Sequence, residues 1–325
     1  MPSAKPARAT EHFVTLFDHN FLPAGLCLHR SLSQHASPFC LWILCADREV
    51  EEKLSQLALA NVRLLSLREV ENDALRIAKR NRTTIEYYWT LTPFTPQVVL
   101  AQDPGIERVT YVDADLFFLG APSLLLDEFE QSGAEVMLTE HAYAPEYDRT
   151  VKSGKYCVQF MTFRNTAGGK SVMHWWQERC LEWCYARHEG GKFGDQKYLD
   201  DWPERFPGKI HVLSQRDRTL APWNAAWFQA HPDSRDPVFF HFHGFRIVSS
   251  TRMLWYRGYE VGSRARRYYE QYTDAMRSEI IEIAKRWGEY PILREPRTLR
   301  RSIARLWYGI RGRLHYEPYH LPESL

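Results

Sequence analysis

Residues 108–118 read Arg-Val-Thr-Tyr-Val-Asp-Ala-Asp-Leu-Phe-Phe, an apolar, β-branched run that carries two carboxylates, Asp113 and Asp115. Along an extended chain residues i and i+2 point to the same side, so both carboxylates should face one point at the end of a buried strand. Two adjacent anions repel and are costly to desolvate unless a cation compensates them. Oxygen ligands favour a hard divalent ion, Mn²⁺ or Mg²⁺, which keeps open positions for phosphate oxygens. The plainer alternative is that Asp113 ends the strand and Asp115 caps a turn. Placement brings the ion level with that alternative, because open α/β sheets bind ligands outside the carboxyl ends of their strands.

Three other constellations have a chemical reading. Asp18-His19-Asn20 follows the first apolar run, where a doubly wound fold meets a nucleotide; D-x-N is otherwise a turn. His241 and His243 lie two apart in an apolar run that ends at Gly244 and should share one face. A nitrogen ligand would move the preferred ion from Mg²⁺ toward Mn²⁺, whereas a hydrogen-bonded core or rim histidine needs no ion. Asp195-Gln196 follows the glycine-broken stretch 190–194; a helix N-cap would account for Asp195 without chemistry.

The elements that must position these groups alternate along the chain. Residues 12–17, 41–46 and 62–66 read as buried strands, with helices at 21–34 and 48–59 between them. That alternation implies an α/β fold with a mostly parallel sheet. Thr92-Pro93 starts a helix that Asp103-Pro104-Gly105 stops near Gln102. Strands are expected again at 134–139, 158–163 and 238–243, and helices at 171–187 and over 269–287. The polar, aromatic stretch 141–155 suits a loop over the site.

At 325 residues, with 44% hydrophobic and 25% charged residues, the chain has ample material for one core and an appendage. A net charge of +2 excludes general nucleic-acid binding on charge grounds. The six cysteines, at 27, 40, 45, 157, 180 and 184, form no C-x-x-C pair and read as buried thiols. The first residues are polar with no signal-peptide pattern, and no run of 18 apolar residues exists, so a cytoplasmic protein without a transmembrane helix is expected. The organisation expected is a disordered lead over 1–11, a catalytic domain over 12–250 and a helical extension over 251–325.

In their order and separation these motifs resemble the GT-A nucleotide-sugar glycosyltransferases, in particular the retaining galactosyltransferase-like family 8. The resemblance covers about residues 12–250. It implies that Asp113 and Asp115 hold Mn²⁺ on the donor diphosphate and that Asp18 and Asn20 bind uracil and ribose. It makes His241, in His241-Phe242-His243-Gly244, the third metal ligand, with His243 in reserve. It sets Asp195 and Gln196 against the reacting sugar. Gly244 falls on the family's glycine near the diphosphate; the lysine usual three residues later is replaced by Ile247, leaving Arg246 as the nearby cation. Where the family carries N-A-G or N-S-G, this chain has Cys157-Val158-Gln159, so Gln159 becomes the candidate for a sugar hydroxyl. The implied activity is metal-dependent, configuration-retaining transfer of a hexose-type sugar from a UDP-sugar to a glycan acceptor in cell-surface polysaccharide synthesis, through a covalent intermediate or front-face attack. Alternatives are an inactive glycan- or membrane-binding relative and a nucleotidyltransferase, though the latter usually needs a glycine-rich phosphate loop after the first strand.

Residues 294–313 contain seven arginines, at 294, 297, 300, 301, 305, 311 and 313, against one acid, Glu295. Leu299, Ile303, Leu306, Trp307, Ile310 and Leu314 recur at helical spacing. A basic amphipathic helix of this kind suits an anionic membrane surface, which would place the protein on the inner face of the membrane near a lipid-linked acceptor. A helix packed on the domain or on a second subunit is the alternative.

Overall fold

The computed structural model describes residues 9–290, 292 and 299–320. The chain opens with strand β1 (Glu11–Phe17), helix Leu22–His35, β2 (Phe39–Cys45), helix Arg48–Leu57 and β3 (Val62–Ser66). The second helix begins where the Asp47 carboxylate accepts the Val50 N–H at 2.8 Å and ends at Ala58 in the left-handed region. After further short helices come β4 (Arg108–Val112), β5 (Leu116–Phe118), β6 (Val136–Glu140) and β7 (Tyr156–Arg164). Then follow β8 (Ile210–Val212), β9 (Thr219–Leu220), β10 (Phe239–His241), β11 (Arg246–Ser249), β12 (Arg252–Arg257) and β13 (Leu314–Pro318).

Seven strands make the central sheet in the order β3-β2-β1-β4-β7-β6-β8. Pairs are parallel from β3 to β4, antiparallel at β4–β7 and β7–β6, and parallel again at β6–β8, so the sheet is mostly parallel as expected. Alternation along β1 sends Val14 and Leu16 into the core on one face and Phe13 and Phe17 into the core on the other. Burial on both faces explains why these strands read as continuous apolar runs. A small sheet, β5-β10-β9, stands beside the main one, and β11-β12-β13 forms a third.

Several boundaries differ from the sequence reading. Glu11, assigned to the disordered lead, pairs with Phe39 in β1 and forms an ion pair with Arg108; residues 1–8 lie outside the described residues. The helix expected at 171–187 runs Ala167–Glu182, because the Thr166 hydroxyl caps it by accepting the Gly169 N–H at 3.0 Å. The boundary expected at 250 passes through the β11–β12 hairpin. Helix Gly262–Trp287 shares an aromatic core with Phe117, Phe240 and Phe242, and its Glu279 pairs with Arg30 at 2.6 Å. Within 294–314 the helix is Leu299–Ile310; the chain then turns at Gly312 (φ 65°), and Leu314 belongs to a strand. Arg294, Glu295 and Arg297 lie outside the described residues, as do the side chains of Leu299, Arg300 and Arg301. Among the described residues no helix is long and apolar enough to cross a membrane.

Candidate active site

A turn, not the pleat of a strand, brings Asp113 and Asp115 together. β4 ends at Val112; the Asp113 N–H then donates to the Gln159 carbonyl at 3.1 Å, and the Leu116 N–H to the Asp113 carbonyl at 3.1 Å. β5 leaves this turn and pairs antiparallel with β10, setting Leu116 opposite His241. The Phe242 N–H donates to the Asp115 carbonyl at 2.9 Å. His241 Nε2 consequently lies 3.1 Å from Asp115 Oδ1 and 3.7 Å from Asp113 Oδ2. The candidate ligand atoms of Asp113, Asp115 and His241 all fall within 4.8 Å of one another. The group contains His241 and not His243.

Electrostatics make this cluster one unit. Burial, then the charge of Asp115, pushes the Asp113 carboxyl up to about 7, against the pull of His241. Burial works in the same direction on Asp115, but hydrogen bonding and charge from His241, with His243 and Arg246 behind it, hold that carboxyl at about 2. Burial would lower His241, yet Asp115 and Asp113 raise it well above its ordinary value. The two carboxylates thus need a positive charge between them, and an imidazolium supplies it. Two oxygens and one nitrogen converging on one point fit a divalent ion of the Mn²⁺ or Mg²⁺ type.

The cluster lies in the wall of a cleft of about 650 Å³. Asp18, Asp195, Gln196, His243 and Arg246 line the same cleft, so most of the residues singled out in the sequence converge there. Asp195 is buried; its carboxyl is raised to about 8 by burial and then by the charge of Asp113. It precedes the 3-10 helix Gln196–Asp201 without a side-chain cap hydrogen bond. Gln196 Nε2 donates to the Ser153 carbonyl at 2.7 Å, tying the loop to the cleft wall. His243 is exposed to the cleft; burial by the surrounding walls and the charge of His241 draw its pKa to about 4. Arg246 extends over the Phe21 ring, 5.4 Å from its centroid.

Three residues expected to touch the donor are not among those lining the cleft. Asn20 is folded back on Asp18, its Nδ2 donating to Asp18 Oδ2 at 3.2 Å, and borders a crevice of about 20 Å³ next to the main cleft. Gln159 is 1% exposed and lies behind His241. Gly244 takes φ +83°, a turn conformation that favours glycine, and is not part of the cleft lining.

The structure adds residues that sequence reasoning did not single out. Ile85, Tyr88 and Trp89, on helix Thr84–Leu91, form one wall, and the Tyr88 hydroxyl donates to Asp18 Oδ2 at 3.4 Å. The signal was present: Thr83 and Glu86 form a capping box at the start of that helix. His141, Tyr143, Arg149 and Ser153 line the cleft from the stretch read as a loop over the site. Trp223 donates from Nε1 to the His141 carbonyl at 2.7 Å and packs edge-on to His241 and His243, with ring centroids 5.5 and 5.6 Å away. Nothing in its local sequence marks it. Cys157, between His141 and His241, is drawn to about 6 by these imidazoles although burial opposes it.

The chain has the GT-A fold, as its match to the solved structure of the galactosyltransferase LgtC shows. The LgtC crystal structure with donor and acceptor sugar analogues matches with a TM-score of 0.53 at 15% identity, over 82% of this chain and 95% of that one. By sequence, the chain belongs to the family of YfnF from Bacillus subtilis (strain 168), an uncharacterized protein 32% identical over 255 residues, 74% of this chain and 83% of YfnF. YfnD of the same organism, also uncharacterized, is 29% identical over 297 residues, 87% of this chain and 94% of YfnD. No family model matches the chain.

Proposed function

We propose that the protein is a metal-dependent, retaining glycosyltransferase that moves a hexose-type sugar from a nucleotide diphosphate donor, a UDP-sugar, to a glycan acceptor. The observation that carries this reading is the convergence of Asp113, Asp115 and His241 within 4.8 Å at the wall of the cleft. Those three side chains would hold the divalent ion, which would offset the charge developing on the departing diphosphate. Arg246, beside Asp115, adds a fixed cation at the same end. Asp18, backed by Tyr88, receives the nucleoside, and the aromatic wall of Tyr88 and Trp89 excludes water from it. Asp195 and Gln196 face the reacting sugar, where carboxyl and amide oxygens aimed at the anomeric carbon stabilise its positive charge. Positions fixed before the donor arrives need no reorganisation during the reaction, which is the main source of such stabilisation.

The acceptor is taken to be lipid-linked, on the strength of helix Leu299–Ile310. Ile303, Leu306, Trp307 and Ile310 are 60, 68, 44 and 79% exposed, and their spacing puts them on one face. Arg311 lies over the Trp307 ring at 4.1 Å. A bare apolar stripe with flanking cations suits an anionic membrane surface. The helix is linked to the cleft: Gly258 N donates to the Arg313 carbonyl at 2.6 Å, and the neighbouring Tyr259 lines the cleft.

The test is calorimetry with UDP, with and without Mn²⁺, followed by a screen of nucleotide sugars for donor hydrolysis. Mn²⁺-dependent UDP binding together with slow hydrolysis of one UDP-sugar is the expected result. Binding without hydrolysis of any donor would indicate a non-catalytic relative, and no Mn²⁺-dependent binding would refute the reading.

A further inference from the structure

Gln159 stands where the resembling family has a small residue, and the structure gives it two contacts to the carboxylate–histidine cluster. Its main-chain carbonyl accepts the Asp113 N–H at 3.1 Å. Its side-chain Oε1 lies 2.6 Å from His241 Nδ1. We propose that Gln159 is a positioning residue that holds His241 in the one tautomer able to serve a divalent cation. This inference rests on the metal-site reading above.

The ring, protonated on both nitrogens in the metal-free cluster, would give up one proton on binding a cation, and the neutral imidazole then carries one N–H and one lone pair. Nε2 is the atom facing the carboxylates, 3.1 Å from Asp115 and 3.7 Å from Asp113, so a cation there needs the lone pair on Nε2 and the hydrogen on Nδ1. Oε1 of Gln159 can only accept, and at 2.6 Å it selects that arrangement. The reversed amide would present NH₂ to Nδ1, require the lone pair there, and leave a hydrogen on Nε2 pointing into the cation position. Ligating histidines are ordinarily fixed through their second nitrogen in this way. Trp223, edge-on to the ring at 5.5 Å, restricts its rotation, leaving the amide to select the tautomer.

A second observation separates this role from folding. Nε2 of Gln159 is buried with no hydrogen-bond partner, an arrangement that folding alone disfavours, because an orphaned buried donor costs stability. A methionine of similar length would remove that orphan while leaving the His241 Nδ1–H unpaired. One unsatisfied group is exchanged for another, and stability should change little while the tautomer is no longer held.

The experiment titrates Mn²⁺ into the full-length wild type, Gln159→Met and Gln159→Glu, reading free Mn²⁺ by electron paramagnetic resonance, with thermal unfolding of each protein in EDTA. Losing an outer-shell partner typically weakens metal affinity about 10–100-fold, and that loss is expected for Gln159→Met with a metal-free melting temperature close to wild type. Gln159→Glu keeps the accepting oxygen and should bind within a few-fold of wild type. Wild-type affinity in Gln159→Met, or an equal loss in Gln159→Glu and Gln159→Met, would overturn the role of Gln159. A wild-type protein that takes up no Mn²⁺ would overturn the metal reading and this inference with it.

Discussion

Replacing His241 should destabilise the metal-free protein, and Mn²⁺ should widen the deficit. The imidazole is 6% exposed and sits between Asp115, 17% exposed, and Asp113, 29% exposed. Removing one partner of a buried ion pair costs about 3–5 kcal/mol because a charge is left uncompensated. Asp113, open on one side and already pushed up to about 7, can take a proton, so the lower end, about 3 kcal/mol, is expected for His241→Ala. With an unfolding entropy of about 2.1 cal/mol/K per residue, that is roughly 4 °C in a chain of this length. Ligand linkage sets the second half of the experiment. At an ion concentration of about 100 times the wild-type Kd, Mn²⁺ adds about 2.7 kcal/mol to wild type; a variant binding 100-fold more weakly gains only about 0.4 kcal/mol. The gap should therefore grow from about 3 to about 5 kcal/mol. His243→Ala, which removes an exposed ring outside the three-residue group, should stay within about 0.5 kcal/mol of wild type in EDTA and keep the Mn²⁺ gain. Urea unfolding in EDTA and in Mn²⁺ measures all four quantities. A His241→Ala deficit that is the same with and without Mn²⁺, or a larger effect from His243→Ala, would refute the assignment of His241 as third ligand.

Asp113→Asn and Asp115→Asn should each abolish Mn²⁺-dependent UDP binding while circular dichroism remains native; calorimetry showing binding unchanged in both would contradict the cluster's role. Asp195→Asn and Gln196→Ala should lower turnover far more than donor affinity, and losses confined to nucleotide affinity in steady-state kinetics would place them elsewhere. Leu306→Glu, on the exposed stripe of helix Leu299–Ile310, should cut co-sedimentation with anionic vesicles and leave donor hydrolysis unchanged; vesicle binding that ignores both the substitution and the salt concentration would exclude the membrane role. Glu128 is held below its ordinary pKa, against burial, by the Ser214 N–H, Gln215 and His211. A carboxylate lowered on folding contributes stability above its unfolded pKa of about 4.3 and loses it as pH falls through the folded value. The stability difference between wild type and Glu128→Gln should therefore be full at pH 7 and shrink below about pH 4, as thermal unfolding across that range would show.

The sequence was most informative where local chemistry is unusual. Carboxylates and histidines in apolar runs stand out because burying them needs a reason, and Asp113, Asp115 and His241 meet for that reason. Strand-helix alternation made the parallel half, β3 to β4, readable from its own residues. The strand at β7 was readable but its antiparallel direction was not, since a strand buried on both faces looks the same in either direction. Gln159 was read as a sugar contact because its strand was recognisable, but which side of His241 its amide takes depends on a pairing between β4 and β7 that no local pattern encodes. The wall formed by Tyr88 and Trp89 was hidden in a charged stretch, although its capping box was legible. Leu314, the first residue of β13, was taken into the preceding helix because it continues that helix's apolar spacing; the turn at Gly312 breaks the period.

The Asp113–Asp115–His241 group also depends on residues with no chemistry of their own. In β10, Phe240 belongs with Phe242 to the aromatic core beneath the third sheet, while Phe239 faces the core that also holds Leu116 and Phe118. His241 follows on the Phe239 side, at the point where that core gives way to the cleft. Because side chains alternate, a slip of one residue between β5 and β10 would send His241 into the aromatic core and a phenylalanine toward Asp115. The register is held by the fit of Phe242 against Tyr272, stacked at 3.9 Å, and of Phe117 against the same tyrosine at 5.6 Å. Tyr272 lies on helix Gly262–Trp287, which supplies no group to the cleft lining. That helix therefore fixes the strand register that sets His241 beside Asp113 and Asp115.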